Sequence, residues 1–192
     1  MRTSSQMRKT NETVVEVTLD LDGGGQADIE TGIGFFDHML TLFARHSGMD
    51  LKVCCDGDLF VDPHHSIEDI GITLGDALKE ALGDKNGIRR YGSALIPMDE
   101  TLAEVALDLS GRSFLVFNAE FTNERVGEFP TEMAEEFFRA VADRCGMTLH
   151  INLRYGKNNH HMLEGIFKAF AHALKDAVTA DGSGLLSTKG VL

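Results

Sequence analysis

The sequence offers little for covalent cross-linking and few cations. Only three of its 192 residues are cysteine. Three thiols cannot all pair, and Cys54 and Cys55 are adjacent instead of spaced as in a zinc knuckle or redox motif, so a reducing, cytoplasmic setting is expected. Lys and Arg number 18 against 30 Asp and Glu, a formal net charge of −12. That balance excludes nucleic acid as a partner, because such binding depends on cationic surface that displaces counterions from phosphates. An anionic substrate therefore needs a local basic pocket. No apolar run approaches membrane-spanning length, and residues 1–12, polar with a few cations, lack the apolar core of a secretion signal; no membrane partner is expected. What is there, 43% apolar and 25% charged residues, is ordinary for a soluble globular chain long enough to bury a real core.

The chain is written twice. Residues 11–23 recur as residues 99–111 with eight of thirteen positions identical, among them Glu12 and Glu100. Gly48-Met49 with Leu51 and Val53 is answered by Gly146-Met147 with Leu149 and Ile151. His64-His65-x-x-Glu68 is answered by His160-His161-x-x-Glu164, and Ala77-Leu78-Lys79 by Ala173-Leu174-Lys175. Period-two alternation predicts strands at 13–21 and 102–109. A helix is predicted at 35–45 and at 131–144, then a strand at 49–55 and at 147–153, then a second helix carrying the His-His pair. Leu163, Ile166, Phe167, Phe170, Leu174 and Val178 give that last helix one apolar stripe. The expected architecture is α+β, with two ββαβα-type halves whose sheets pack face to face and whose helices lie outside. Residues 1–192 would form one domain built of repeats at about 1–85 and 86–181, with a tail at 182–192.

Both His-His pairs open a helix. Asp62 can cap the first, with Pro63 at its opening position, and Asn158 or Asn159 the second. Adjacent helical residues diverge by about 100°, whereas i and i+4 share a face, so His64 can share an ion with Glu68 while His65 points elsewhere. If the duplicated halves face each other, two ions each receive imidazole from both copies, which predicts a dinuclear site. Imidazole and carboxylate without thiolate suit Mn, Fe, Zn or Ni better than Mg or Ca. The repeat also pairs His38 with Glu136, either of which can bind metal. His46, His150 and His172 are read as structural histidines, His150 on the polar face of a strand.

These residues resemble a known family. The stretches 61–74 and 156–168 are similar, in order and spacing, to both signature motifs of imidazoleglycerol-phosphate dehydratases, and the likeness extends to 8–13, 34–40, 87–92, 108–112 and 187–192. The resemblance implies a fold of the ribosomal protein S5 domain 2-like kind, two Mn(2+) ions per active site, and a homo-oligomer of 24 subunits with shared active sites. It implies His38, His64, His65, Glu68, Glu136, His160, His161 and Glu164 as metal ligands; Glu136 stands where one common form of the motif has histidine. The implied reaction removes water from D-erythro-imidazoleglycerol 3-phosphate to give imidazoleacetol phosphate in histidine biosynthesis, through a metal-bound imidazolate. Glu12 and Glu164 would move the protons. Glu12, His38, His64 and His160 would contact substrate, and Arg90, Arg112, Lys168, Ser187, Thr188 and Lys189 would hold its phosphate. A dinuclear metallohydrolase and a non-enzymatic metal-binding shell are the rival readings; open coordination positions beside a cationic phosphate cluster argue against the second.

Overall fold

The computed structural model describes residues 2–182 and 184–190. Its elements run β1 (Thr3–Lys9), β2 (Thr13–Asp20), β3 (Ala27–Glu30), α1 (Gly34–Ser47), β4 (Asp50–Gly57) and α2 (His64–Leu82). The second half follows with β5 (Tyr91–Met98), β6 (Thr101–Asp108), β7 (Phe114–Asn118), β8 (Arg125–Val126), β9 (Phe129–Pro130), α3 (Met133–Cys145), β10 (Thr148–Tyr155) and α4 (Asn159–Val178). The sheets have the orders β1-β2-β4-β3 and β5-β6-β10-β7, which are the same order in the two halves. The fold is thus α+β, with two four-stranded sheets and four helices.

Alternation sets the inner faces. Val15, Val17 and Leu19 of β2, like Ala103, Val105 and Leu107 of β6, point into the core. Each first helix ends on a glycine with positive φ, Gly48 at 75° and Gly146 at 70°, whose N–H closes on the carbonyl of Ala44 or Ala142. That left-handed cap favours residues without a Cβ and turns the chain directly into β4 or β10. Each half also has a third strand, β3 or β7, running parallel to β4 or β10. β3 alternates but over four residues only, and β7 lacks the alternation that reveals β2 and β6.

The layers are ordered otherwise than the sequence suggested. Each sheet is covered on one face by its own helices, and the helices of one half pack against those of the other, α2 on α3 and α1 on α4. Phenylalanines join the helix layer: Phe36 meets Phe137 at 5.2 Å, Phe137 stacks on Phe167 at 5.6 Å, and Phe43 stacks on Phe170 at 5.6 Å between centroids. The sheets are therefore outermost, and Tyr91, Leu95 and Phe114 on the outer side of the second sheet are exposed. The cause is the breadth of the helical apolar surface. α2 and α4 bury residues around most of their circumference, and a helix apolar on two sides has to be covered on two sides.

Close approach of α2 to α3 relies on glycine. A Cβ at Gly75 would lie 2.6 Å from the Arg144 Cβ and 2.9 Å from the Val141 carbonyl oxygen, and one at Gly71 would lie 2.9 Å from both the Ala140 Cβ and the Phe137 oxygen. Overpacking of this kind typically costs about 1–3 kcal/mol, against the roughly 1 kcal/mol that alanine gains over glycine in a helix. Gly75→Ala should therefore lower the melting temperature of the metal-free protein. Gly165→Ala, whose Cβ would sit 3.4 Å from its nearest neighbour, Ala103, should leave it unchanged or raised.

Candidate metal centre and active site

Both His-His pairs stand at helix starts. Asp62 accepts from the His64 N–H at 2.8 Å, and Asn158 accepts from the N–H groups of His160 and His161 at 2.9 and 3.4 Å. The first carboxylate cap sits one residue before the assigned cap, Pro63, a shift within the usual latitude of helix boundaries. The expected i, i+4 pairs form: His160 Nε2 lies 3.1 Å from Glu164 Oε2, and His64 Nε2 lies 3.8 Å from Glu68 Oε2. The adjacent histidines diverge, with ring planes inclined by 75° and 82°.

His38 on α1 completes the first cluster. Its Nε2 is 3.6 Å from Glu164 Oε2, and donor atoms of His38, His160 and Glu164 lie within 4.8 Å of one another. Phe35 sets its ring edge against His160 at 5.1 Å and closes one side. The other oxygen of Glu164 accepts from Lys168 Nζ at 2.6 Å. Burial pushes the Glu164 carboxyl up, but the Lys168 ammonium, the His160 hydrogen bond and His38 outweigh it and hold the group below the ordinary carboxylate value. The side chain is thus buried and ionised, a combination that requires such partners.

A second cluster gathers His65, Glu12 and Asp58. Asp58 Oδ2 is 3.0 Å from His65 Nδ1, and Glu12 Oε2 is 3.7 Å from the same nitrogen. In the other repeat His161 Nδ1 lies 2.7 Å from Glu100 Oε2. The Asp58 hydrogen bond raises the His65 pKa, and Glu100 raises that of His161; Glu100 itself, bonded to His161 and to the Asn158 N–H, is lowered to about 2. Asp58 and the orienting use of Glu100 were not read from the sequence. The repeat alignment of Glu12 with Glu100 was the available signal; Asp58 gave none.

Three expected groupings are incomplete within the single chain. The first cluster joins imidazoles of both repeats, His38 and His160, but among the described residues no cluster combines a histidine of the first His-His pair with one of the second. Glu136 belongs to neither cluster; its carboxylate lies 3.9 Å from Arg139 Nε on its own helix. The expected phosphate ligands also separate. Lys168 is beside Glu164, but the Arg90 N–H bonds the Ala177 carbonyl at the far end of α4, about 25 Å from His160 at 1.5 Å per helical residue. There the Arg90 guanidinium holds Asp108 at 2.6 Å and bonds the Leu186 carbonyl, which brings Ser187 of the tail beside it. Thr188 and Lys189 follow in the exposed tail, and Arg112 is exposed on the loop after β6. Val191 and Leu192, the last residues of the expected tail, and Ser183 lie outside the described residues. His46 and His172 pair at 3.2 Å between ring nitrogens, and His150 is exposed on the outer strand face.

The donor set fits a divalent transition metal. Imidazole nitrogens and an ionised carboxylate converge without thiolate, as suits Mn, Fe or Zn, and carboxylates hold the outer Nδ1 atoms of His65 and His161 in the manner of carboxylate–histidine–metal triads. Fold and site together define an internally duplicated α+β protein with clustered metal donors at two helix starts. Residues 31–174 match the family described as imidazoleglycerol-phosphate dehydratase. A dehydratase of that name from Listeria welshimeri is 58% identical over the whole of both chains, and one from Bacillus thuringiensis is 56% identical, again over the whole of both. The crystal structure of the Staphylococcus aureus enzyme superposes with a TM-score of 0.85 at 47% identity, covering 93% of this chain and 99% of that one. That of the Pyrococcus furiosus enzyme, solved with the ligand (S)-C348, gives 0.82 at 37% identity, covering 97% and 100%. The chain belongs to the imidazoleglycerol-phosphate dehydratase family and is a carbon–oxygen hydro-lyase.

The Lys168–Glu164 pair can be tested without metal. Glu164 is held below its ordinary 4.5, so its ionisation contributes stability that is present above that value and lost as pH falls through the lowered one. Lys168→Met leaves burial unopposed by the ammonium and should destabilise the metal-free protein by about 1–3 kcal/mol at neutral pH. It should also weaken or invert the pH dependence near 4.5, since a carboxyl with a raised value loses stability as pH rises. Melting curves between about pH 4 and 7 measure both.

Proposed function

We propose that the chain converts D-erythro-imidazoleglycerol 3-phosphate to imidazoleacetol phosphate in histidine biosynthesis, with two Mn(2+) ions per active site. The observation that carries this reading is the convergence of His38, His160 and Glu164 within 4.8 Å in a chain of this family. His64, Glu68, His65, His161 and, from the resemblance, Glu136 are the remaining proposed ligands. Bound metal would supply Lewis acidity that favours the deprotonated form of a coordinated imidazole ring. The chain's own groups do the rest. Glu164, ionised beside Lys168, and Glu12, half exposed 3.7 Å from His65, move the proton taken from carbon and the proton delivered to the departing hydroxyl. Arg90, Arg112, Lys168 and Lys189, with the hydroxyls of Ser187 and Thr188, bind the phosphate.

We further propose that copies of the chain share active sites in a homo-oligomer of 24 subunits. A substrate of one ring, three carbons and a phosphate spans about 10 Å at the roughly 1.5 Å of a carbon–carbon bond. Arg90 and His160 of one chain, about 25 Å apart along α4, cannot both touch it, so a second copy supplies one of them. The chain acts as a single dehydratase domain of two repeats, in the cytoplasm, where its three cysteines remain free thiols. Among the described residues no helix is long and apolar enough to cross a membrane.

Protein reconstituted with Mn should dehydrate imidazoleglycerol phosphate, and chelated protein should not. Glu164→Gln should lower turnover by about 100-fold or more at saturating Mn and substrate, whereas His65→Ala should release metal. Full metal occupancy with wild-type turnover in Glu164→Gln would exclude proton transfer by that residue.

Raised pKa values at His65 and His161 give Mn binding a defined pH dependence. Each imidazole stays protonated to a pH above its ordinary 6.5, and a ligating ring has to lose the competing proton. Mn affinity should therefore rise with pH through this range, with protons released on binding. Calorimetric titration in two buffers of different ionisation enthalpy reads that release.

A further inference from the structure

The two repeats treat one inherited carboxylate differently. Glu12 and Glu100 occupy the same place in the duplicated sequence, each just ahead of a central strand. Glu100 is fully engaged: it bonds His161 Nδ1 at 2.7 Å, the N–H groups of Asn158 and Lys157 at 2.8 and 3.2 Å, and the Thr101 hydroxyl at 3.3 Å. Among the described residues the Glu12 carboxylate has only the 3.7 Å approach to His65, and the side chain is 54% exposed.

What differs is the residue next to a close contact that both halves repeat. Gly57 and Gly156 are structural counterparts: a Cβ on the first would strike Ser66 and touch Thr13, and a Cβ on the second would strike Met162 and Thr101, which are the matching residues of the other repeat. The residue that follows is Asp58 in the first half and Lys157 in the second. The Asp58 N–H bonds the Glu12 carbonyl at 3.1 Å, which fixes it beside Glu12 with its carboxylate on His65 Nδ1 at 3.0 and 3.2 Å. A lysine ammonium in that place cannot accept from imidazole. In the second half the grip on the histidine therefore falls to Glu100.

We infer that Asp58 is a positioning residue that holds His65 and so leaves Glu12 free to transfer protons, while Glu100, the counterpart of Glu12, is kept as the positioning residue of His161. A carboxylate on Nδ1 fixes the ring's orientation and leaves Nε2 directed outwards as the ligating nitrogen. Only one acceptor is needed on each Nδ1. Where Asp58 supplies it, the glutamate is released.

The inference rests on the proposed role of Glu12, and the experiment separates the two. Mn affinity of the assembled protein is measured by chelator competition, and turnover at saturating Mn and substrate, for Asp58→Ala, Asp58→Asn, Glu12→Gln and the Asp58→Ala, Glu12→Gln pair, with native mass confirming assembly. Asp58→Ala should weaken Mn binding about 10- to 100-fold and lower turnover, because Glu12 is drawn onto His65. Asp58→Asn, which keeps an acceptor oxygen, should recover most of the affinity. In the Glu12→Gln background the Asp58 change should lower turnover no further. Wild-type Mn affinity and turnover in Asp58→Ala overturn the inference, as does an equal fractional loss of turnover in both backgrounds. If Glu12→Gln alone turns over at the wild-type rate, the role of Glu12 fails; Mn affinity still decides whether Asp58 holds His65.

Discussion

Burial of the helices between the two sheets is the constraint on which the site depends. α2 and α4 are covered along nearly their whole length by a sheet on one side and by helices of the other half on the other. At the helix starts the chain emerges from the layer, and the first turns are partly exposed. The His-His pairs occupy those starts. Glu164, one turn further in, reaches the rim only with Lys168 beside it, since a buried carboxylate needs a paired cation. The same burial fixes the backbones on which the donors sit, and a metal site needs its ligands held by packing and outer hydrogen bonds.

Duplication supplies the scaffold, and departures from it supply the function. The strand order, the glycine caps at Gly48 and Gly146, and the aligned i, i+4 pairs are repeated. The environments are not. Glu164 is nearly buried against Lys168, whereas Glu68, its counterpart, is 45% exposed. His38 faces Glu164, while Glu136 in the matching place faces Arg139. The cluster at the start of α4, which joins His38 of the first half to His160 and Glu164 of the second, is thus charge-compensated by Lys168, and the i, i+4 pair at the start of α2 is more open.

Much of this was legible in the sequence because its physical causes are local. Period-two burial revealed β2 and β6, the apolar stripe revealed α4, and helical geometry gave the His160–Glu164 contact directly. The layer order was not legible, because an apolar residue such as Leu95 on an outer strand face reads the same whether a second sheet or solvent lies beyond it; the choice is made by the breadth of the helical apolar surface, a property of all four helices together. β3 and β7 were missed as parallel edge strands, the first because it is only four residues long and the second because it does not alternate. Asp58 was invisible for a different reason: its role follows from a backbone hydrogen bond to Glu12 across the β2–β4 ladder, and that register is set only when the sheet forms.

The position of Arg90 carries the last step. Its backbone φ of 69° is in the left-handed region, disfavoured for a side-chain-bearing residue by about 1–3 kcal/mol. In that conformation its N–H bonds the end of α4 while its guanidinium spans Asp108 and the tail carbonyl of Leu186. The arrangement ties the tail to the end of α4 opposite the metal donors. Under the proposed activity, phosphate and imidazole of one substrate then contact different copies of the chain, and each bound substrate joins two subunits. Ligand that binds only the assembled form stabilises it by mass action. On that proposal, metal donors and Lys168 at one end of a buried helix and Arg90 at the other would couple occupancy of the site to the integrity of the oligomer, through the length of α4 itself.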